Sequence, residues 1–163
     1  MISLRTLRHV GELDKLLKIS LDTTEKFKIP ELRMHKEVCK KNLQLLSRSS
    51  QYFRVLEKIE PNGSLRIIGW IAANTEPFVL YSSTTALHLL YYHSSLEGYS
   101  AAKALIFVHN DMFKFAERLK VELAVTSPCA HTKECFTTIL EREGWVHRGF
   151  VLIKKTKYFK GYL

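Results

Sequence analysis

Residues 87–119 constrain the fold most. An apolar, aromatic run, Leu87-His88-Leu89-Leu90-Tyr91-Tyr92, has strand composition. It passes into the polar turn Ser95-Leu96-Glu97-Gly98-Tyr99-Ser100, which holds one glycine. Immediately afterwards Ala101, Leu105, Val108, Met112, Phe115 and Leu119 recur at helical spacing and predict one long amphipathic helix. A strand, a small-residue turn and a helix start in series form an anion site. The first amides of a helix lack intrahelical acceptors, and the helix dipole favours negative charge there. The layout points to a phosphorylated cofactor.

Length and composition narrow the class. The 163 residues fit one domain, 1–163, with a core of its own. No apolar run reaches the roughly 18–20 residues that span a bilayer, and Met1-Ile2-Ser3-Leu4-Arg5 does not read as a secretory signal. Cys39, Cys129 and Cys135 are odd in number and lack metal-ligand spacing, so they read as reduced thiols of a cytoplasmic chain, with no metal site. The formal charge of +9 favours acidic partners, whether a polyanionic cofactor, nucleic acid or another acidic surface.

Patterning gives the element order. Ile2–Leu7 alternates as a first strand, and Leu13, Leu16, Leu17 and Leu21 mark a helix. Pro30 suits the first position of a second helix, whose apolar side is Leu32, Val38, Leu43 and Leu46. Gln51–Ile59 and Leu65–Ala73 read as strands around the turn Pro61-Asn62-Gly63, and Asn74-Thr75-Glu76-Pro77 reads as a break. Phe78–Tyr81 reads as a short strand or the start of the next, and Thr84–His93 as the strand before the turn. Val121–Thr126 is a further strand, Thr132–Glu143 a helix capped by Gly144, and Gly149–Lys157 the last strand. The expected order is β-α-α-β-β-β-α-β-α-β.

This order, the Gly98 turn and the later Glu143-Gly144-Trp145 resemble the GCN5-related N-acetyltransferase (GNAT) superfamily. There a central strand ends in a Gln/Arg-x-x-Gly-x-Gly/Ala turn and a helix follows. In this chain Gly98 matches the first glycine, Ser100 stands at the second, and Ser95 replaces the first polar residue. The stretch from the turn onward also resembles small acetyltransferase-like proteins encoded by tailed bacteriophages. The resemblance implies an α/β fold of the acyl-CoA N-acyltransferase type with a mixed sheet. It implies acetyl-CoA as cofactor and transfer of its acetyl group to an amine by direct attack. Glu97, Gly98, Tyr99, Ser100 and Ala101 would hold the pyrophosphate, and the strand backbone at Leu90, Tyr91 and Tyr92 the pantetheine and acetyl carbonyl. Glu97 beside a pyrophosphate repels it unless its side chain turns away.

Acyl transfer to an amine needs a proton acceptor for the amine and a proton donor for the thiolate. The tyrosine that the superfamily often places four residues before the later glycine is Leu140 here. His88 and His93 on the central strand, with ordinary pKa values near about 6.5, and Ser127 at the end of the neighbouring strand are the catalytic candidates. Tyr91, Tyr92 and Tyr99 are candidate acids. The basic segment Lys26, Lys28, Arg33, Lys36, Lys40 and Lys41 would line the acceptor side and suit an acidic or phosphate-bearing amine. Trp145 and the aromatic tail are candidates for an interface between chains. Two other functions stay open at this point. One is a catalytically inactive phage structural or interaction protein, and the other is a basic nucleic-acid-binding or nucleic-acid-modifying protein.

Overall fold

The computed structural model describes residues 1–27, 35–78, 83–127, 134–148 and 151–160, apart from the side chains of residues 26, 27 and 134–136. The elements in chain order are β1 (Ile2–Arg5), α1 (Leu13–Phe27), α2 (Lys36–Ser49), β2 (Tyr52–Ile59), β3 (Leu65–Pro77), β4 (Thr85–Ser94), α3 (Gly98–Arg118), β5 (Leu123–Thr126), α4 (Glu134–Arg142), β6 (Val146–Arg148) and β7 (Val151–Lys155). A 3-10 turn, Val10–Glu12, precedes α1. The strands form one seven-stranded sheet in the order β1-β2-β3-β4-β5-β7-β6. β4 and β5 run parallel, as a crossover through α3 requires, while β1–β2, β5–β7 and β6–β7 are antiparallel. The mixed α/β class expected from the order of elements is therefore the one formed.

The chain divides into two units, Met1–Ala72 with Tyr91–Ala101, and Ala73–Leu90 with Ala102–Leu163. In the first, the helical repeat of Leu13, Leu16 and Leu17 buries one stripe of α1. That stripe packs with Leu43 of α2, Phe53 and Val55 of β2, and Trp70 and Ala72 of β3. One edge is closed by charge rather than by apolar contact. Arg5 on β1 donates to both oxygens of Glu12, at 2.9 and 2.7 Å, and at 2.7 Å to Glu57 on β2. Both carboxylates are buried, a placement tolerated because each is paired. In the second unit, Ala86, Leu123, Val125 and Ile153 from β4, β5 and β7 share one apolar cluster, with Phe78, Val151 and Phe159 against it. α4 ends as expected at Gly144, whose φ is +83°. The Trp145 amide donates to the Leu140 carbonyl and the Gly144 amide to that of Glu141, which satisfies the orphan carbonyls of the last turn.

Several expectations are corrected. β3 does not break at Asn74 but runs on to Pro77, because proline is tolerated at a strand end and the Phe78 amide still finds the Thr84 carbonyl at 2.8 Å. The expected last strand forms as β7, and a short strand not expected, β6, precedes it and pairs with it from Val146↔Ile153 to Arg148↔Val151. In α3 the buried face is Ala104, Leu105, Val108, His109, Met112 and Ala116, whereas Leu119 lies past the helix end and is exposed. Val38 faces solvent on α2 although Leu43 is buried. Trp145 is only 2% exposed, and its ring meets His109 edge-on at 5.5 Å, so it is core and not an interface residue. Pro30, Leu32, residues 79–81, Thr132, Cys129 and the side chains of Cys135 and Phe136 lie outside the described residues. Cys39 is a free, half-buried thiol. No described helix is long and apolar enough to cross a membrane, and the described residues hold no cluster of metal-ligating side chains.

Candidate functional site

β4 is ten residues long, but its parallel register with β5 covers only Ala86, Leu87 and His88, which face Leu123, Ala124 and Val125. β5 still has Thr126 to offer when the pairing stops. The backbone from Leu89 to Ser94 therefore continues as strand beyond the parallel ladder. Leu90, Tyr91 and Tyr92, the residues implied for the pantetheine, lie on this stretch.

On the β3 side the strand end is held firmly. The Ser95 amide and hydroxyl both donate to the Ile68 carbonyl, at 2.8 and 3.2 Å. Gly69 is the reason the two strands come so close. A Cβ built there would lie 2.4 Å from the His93 carbonyl oxygen and 3.2 Å from the Ser94 Cα. Glycine inside a strand commonly marks such an approach of backbone to backbone. The Thr23 hydroxyl of α1 also donates to the Ser94 carbonyl at 3.4 Å.

The chain then turns. The Ser94 hydroxyl accepts from the Leu96 amide at 3.2 Å, and Gly98 opens α3 with φ +54°, a left-handed conformation that glycine adopts without penalty. The Ala101 amide donates to the Glu97 carbonyl at 3.3 Å, so the amides of Gly98, Tyr99 and Ser100 lie ahead of that helical bond. A Cβ at Gly98 would meet nothing within 4 Å, so the space over this backbone is open. No acidic residue occupies the first turn of α3. Glu97, Gly98, Tyr99 and Ser100 are all exposed, and Ala101 is half-buried. Open space above a glycine at an uncrowded helix start fits a diphosphate group.

The titratable candidates fall in different settings. His93 is largely buried, its Nδ1 has no hydrogen-bond partner among the described residues, and burial pushes its pKa down to about 4. It is therefore a neutral imidazole at pH 7. It stacks on Trp70 at 5.1 Å and on Tyr91 at 6.5 Å. His88 is half-buried against Phe78, with ring centroids 6.5 Å apart. Desolvation lowers its pKa, Glu76 and a backbone bond at Pro77 oppose that, and its Nε2 is buried without a partner. Ser127 is exposed just past the end of β5. Burial raises the pKa of the Tyr92 phenol to about 12, against an opposing hydrogen bond with Ser94, so it stays protonated. Tyr99 is exposed. Leu140 is wholly buried, so the position expected to carry an acid is core. Of the basic segment, Lys40 is 2.8 Å from Asp14 and is a paired charge, while Lys28 and Arg33 lie outside the described residues.

Sequence patterning missed His109. Sitting on the apolar face of α3, it is completely buried. Its Nδ1 is 2.9 Å from the Leu105 carbonyl and its Nε2 3.3 Å from the Thr126 hydroxyl. A carbonyl only accepts, so Nδ1 carries the proton and Thr126 donates to Nε2. Burial lowers its pKa to about 4. Gly69 was legible as an isolated strand glycine but was not singled out; Trp70 had no distinguishing signal.

A mixed sheet with the β4–α3–β5 crossover and a glycine-led helix start after the central strand defines an α/β fold of the GNAT acyl-CoA N-acyltransferase type. Solved structures agree with that fold along nearly the whole chain. Ribosomal-protein-alanine N-acetyltransferase from Brucella melitensis superposes with a TM-score of 0.66 at 16% identity, over 94% of this chain and 99% of that one. Arabidopsis thaliana NAA60, solved in complex with acetyl-CoA, gives 0.63 at 16% identity over 96% and 100%. A GNAT-family acetyltransferase from Bacillus anthracis gives 0.65 at 9% identity over 94% of each chain. No sequence-family model matches the chain, and no curated protein matches it.

Proposed function

We propose that this protein transfers an acetyl group from acetyl-CoA to a primary amine. The observation that carries the reading is the end of β4. Its backbone outruns the parallel ladder at His88 and leads directly into the open, glycine-led start of α3. The Arabidopsis structure of the same fold, solved with acetyl-CoA, supports the choice of donor.

Acetyl-CoA, when bound, supplies a thioester whose carbonyl carbon is open to attack by an amine. In this reading the amides of Gly98, Tyr99 and Ser100, with Glu97 turned aside and Ala101 closing the first turn, hold the diphosphate through the dipole of α3. The backbone of Leu90, Tyr91 and Tyr92 orients the thioester, and an N–H from this stretch stabilises the negative charge that grows on the carbonyl oxygen. Neutral His93 accepts a hydrogen bond from the incoming amine. His88, five positions back on β4 and so on the opposite face from His93, is the alternative base, with Ser127 as its relay. The protonated Tyr92 phenol is the donor closest in kind to the missing acid at Leu140. Lys36 and Lys41 retain the preference for an acidic or phosphate-bearing acceptor expected from the basic segment.

The buried Leu140 favours a second reading, binding without turnover, as in an interaction protein of phage type. Calorimetry with acetyl-CoA followed by an amine screen for thiol release separates the two. Micromolar binding and thiol release support transfer. Binding with no release across amines of every charge class supports the second reading. No binding to the folded chain overturns both.

A further inference from the structure

β7 runs into a tail that acetyl transfer leaves without a role. Lys154–Lys160 carries four lysines in seven residues and no carboxylate, so its charge is not balanced locally. Strand alternation separates the first two. The Lys154 ammonium donates to the Glu143 carbonyl at 2.6 Å and lies over the Phe113 ring of α3, so its charge is engaged within the fold. Lys155, Lys157 and Lys160 are exposed. A second basic segment comes to the same place. The Thr156 hydroxyl donates to the Val121 carbonyl at 2.6 Å, and the Thr156 amide to that of Glu122 at 2.9 Å. The connection from α3 to β5 therefore lies against the tail. Arg118 at the end of α3 and Lys120 beyond it, both exposed, join the three lysines at one end of the sheet. The acids of these two segments, Glu117 and Glu122, are half-buried.

Two features mark this charge as available to a partner. First, rings position the cations where carboxylates would have neutralised them. Arg118 lies over Phe115 at 5.5 Å, Lys155 over Phe159 at 4.6 Å and Lys157 over Tyr158 at 5.4 Å. A ring fixes a cation without cancelling its charge. Among the described residues, none of the five cations forms an ion pair with a carboxylate. Second, Lys120 stands in the left-handed region at φ +59°. Its amide donates to the Glu117 carbonyl and the Val121 amide to that of Ala116. Lys120 thus holds the place after a helix that glycine usually takes, and a side chain there is strained. The dipole of α3 favours a cation at this end, but Arg118 in the last turn already supplies one.

We infer that this end of the sheet binds the phosphate backbone of a nucleic acid, through Arg118, Lys120, Lys155, Lys157 and Lys160. The inference is independent of acetyl transfer. Arg118 closes the helix that Gly98 opens, so these cations are not part of the diphosphate site. Four of the five are lysines, compact charges that meet phosphates without fixing the angle of approach. Carboxylates of a protein partner are matched better by the arginine fork. A lipid surface takes up apolar side chains as well as charge. Among the described residues of these two segments, Leu119 is the one large apolar side chain exposed, at 42%.

The test uses the full chain and fluorescence anisotropy with a labelled single-stranded RNA of about 20 nucleotides, longer than the site of one small domain. Each phosphate contact to a single strand adds about 0.7 to the slope of log affinity against log salt. The expected result is micromolar binding at about 20 mM salt with a slope of about −3, so that a fourfold rise in salt weakens it roughly sixtyfold. Saturating acetyl-CoA leaves the affinity unchanged. In Lys120→Gly/Lys155→Gln/Lys157→Gln the slope moves to about −1. The charge-matched variant Lys15→Gln/Lys18→Gln/Arg48→Gln removes three exposed cations elsewhere and keeps the wild-type slope. Lys120→Gly alone weakens binding severalfold without lowering Tm, because glycine accepts the left-handed backbone. That single variant decides the matter if the triple variant does not fold. Absence of binding, equal losses in the two triple variants, or displacement of the RNA by acetyl-CoA overturns the inference. Tighter association with vesicles of phosphatidylserine and phosphatidylcholine than with RNA overturns it too.

Discussion

Replacing Gly69 by alanine should damage the protein more than the same change at any other described glycine. The new Cβ falls 2.4 Å from the His93 carbonyl oxygen, with the Ser94 Cα at 3.2 Å. Both obstacles are backbone, so no rotamer change relieves them. The strands must part by at least about 0.6 Å to reach the shortest tolerable contact. Overpacking of a well-filled site costs about 1–3 kcal/mol, and an unyielding neighbour places this case at the upper end. Parting the strands also strains the two bonds from Ser95 to Ile68, each contributing about 1 kcal/mol. Alanine recovers about 0.5–1 kcal/mol by restricting the unfolded chain. The net loss is about 3 kcal/mol, or roughly 6–12 °C in Tm for a chain of this length. Gly63→Ala is the control. Gly63 has φ +79° and nothing within 4 Å of a built Cβ, so only the left-handed backbone is penalised, by about 1 kcal/mol. Scanning calorimetry of the three proteins side by side decides the matter. A Gly69→Ala midpoint within about 2 °C of wild type would refute the close-approach argument.

Three further outcomes are expected. Gly98→Asn, whose side chain tolerates left-handed backbone, keeps acetyl-CoA affinity within about threefold, whereas Gly98→Pro, with φ fixed near about −65°, abolishes binding in calorimetry; equal affinities would show that the turn holds no ligand. His109 titrates near pH 4 in the folded chain and near about 6.5 unfolded. The unfolded state therefore binds more protons below pH 6.5, and stability falls between there and pH 4. The unfolding free energy from urea titrations should drop from pH 7 to pH 5 by about 2 kcal/mol in wild type from this group, and by visibly less in His109→Gln; the same drop in both would remove His109 as the cause. Arg5 holds the Glu12 carboxyl down from 4.5 to about 2, so its contribution is complete above pH 4.5 and is lost as pH falls toward 2. Glu12→Gln should cost about 2 kcal/mol at pH 7 and flatten acid unfolding below pH 4.5, which circular dichroism against pH would reveal.

What the sequence displays and what it conceals have physical causes. α3 is readable because its apolar residues repeat with the helical period and a glycine stands at its start. Leu105, Val108 and Met112 are buried as read, but the rest of the face was missed, since Ala104 and Ala116 are small enough to read as neutral and His109 reads as polar. β3 was cut short because Asn74-Thr75-Glu76-Pro77 looks like loop chemistry. Nothing local says that the Phe78 amide bonds the Thr84 carbonyl across the connection. The turn after β4 was placed from residue type, but α3 already begins at Gly98 rather than after Ser100. The stacking of His93 on Trp70 was not legible, because the two rings come from different strands. Their meeting depends on strand register, which a one-residue slip reverses.

The stretch of β4 beyond its ladder with β5 also bears on how the protein behaves when nothing is bound to it. Leu89-Leu90-Tyr91-Tyr92-His93 is apolar and aromatic, carries no charged gatekeeper, and follows a strand whose parallel ladder has already ended. A strand of that composition, wherever its edge is uncovered, is a template for pairing with another chain. Concentrated, ligand-free protein should therefore self-associate through this segment before it unfolds. A bound molecule lying along the strand would protect solubility as well as take part in chemistry.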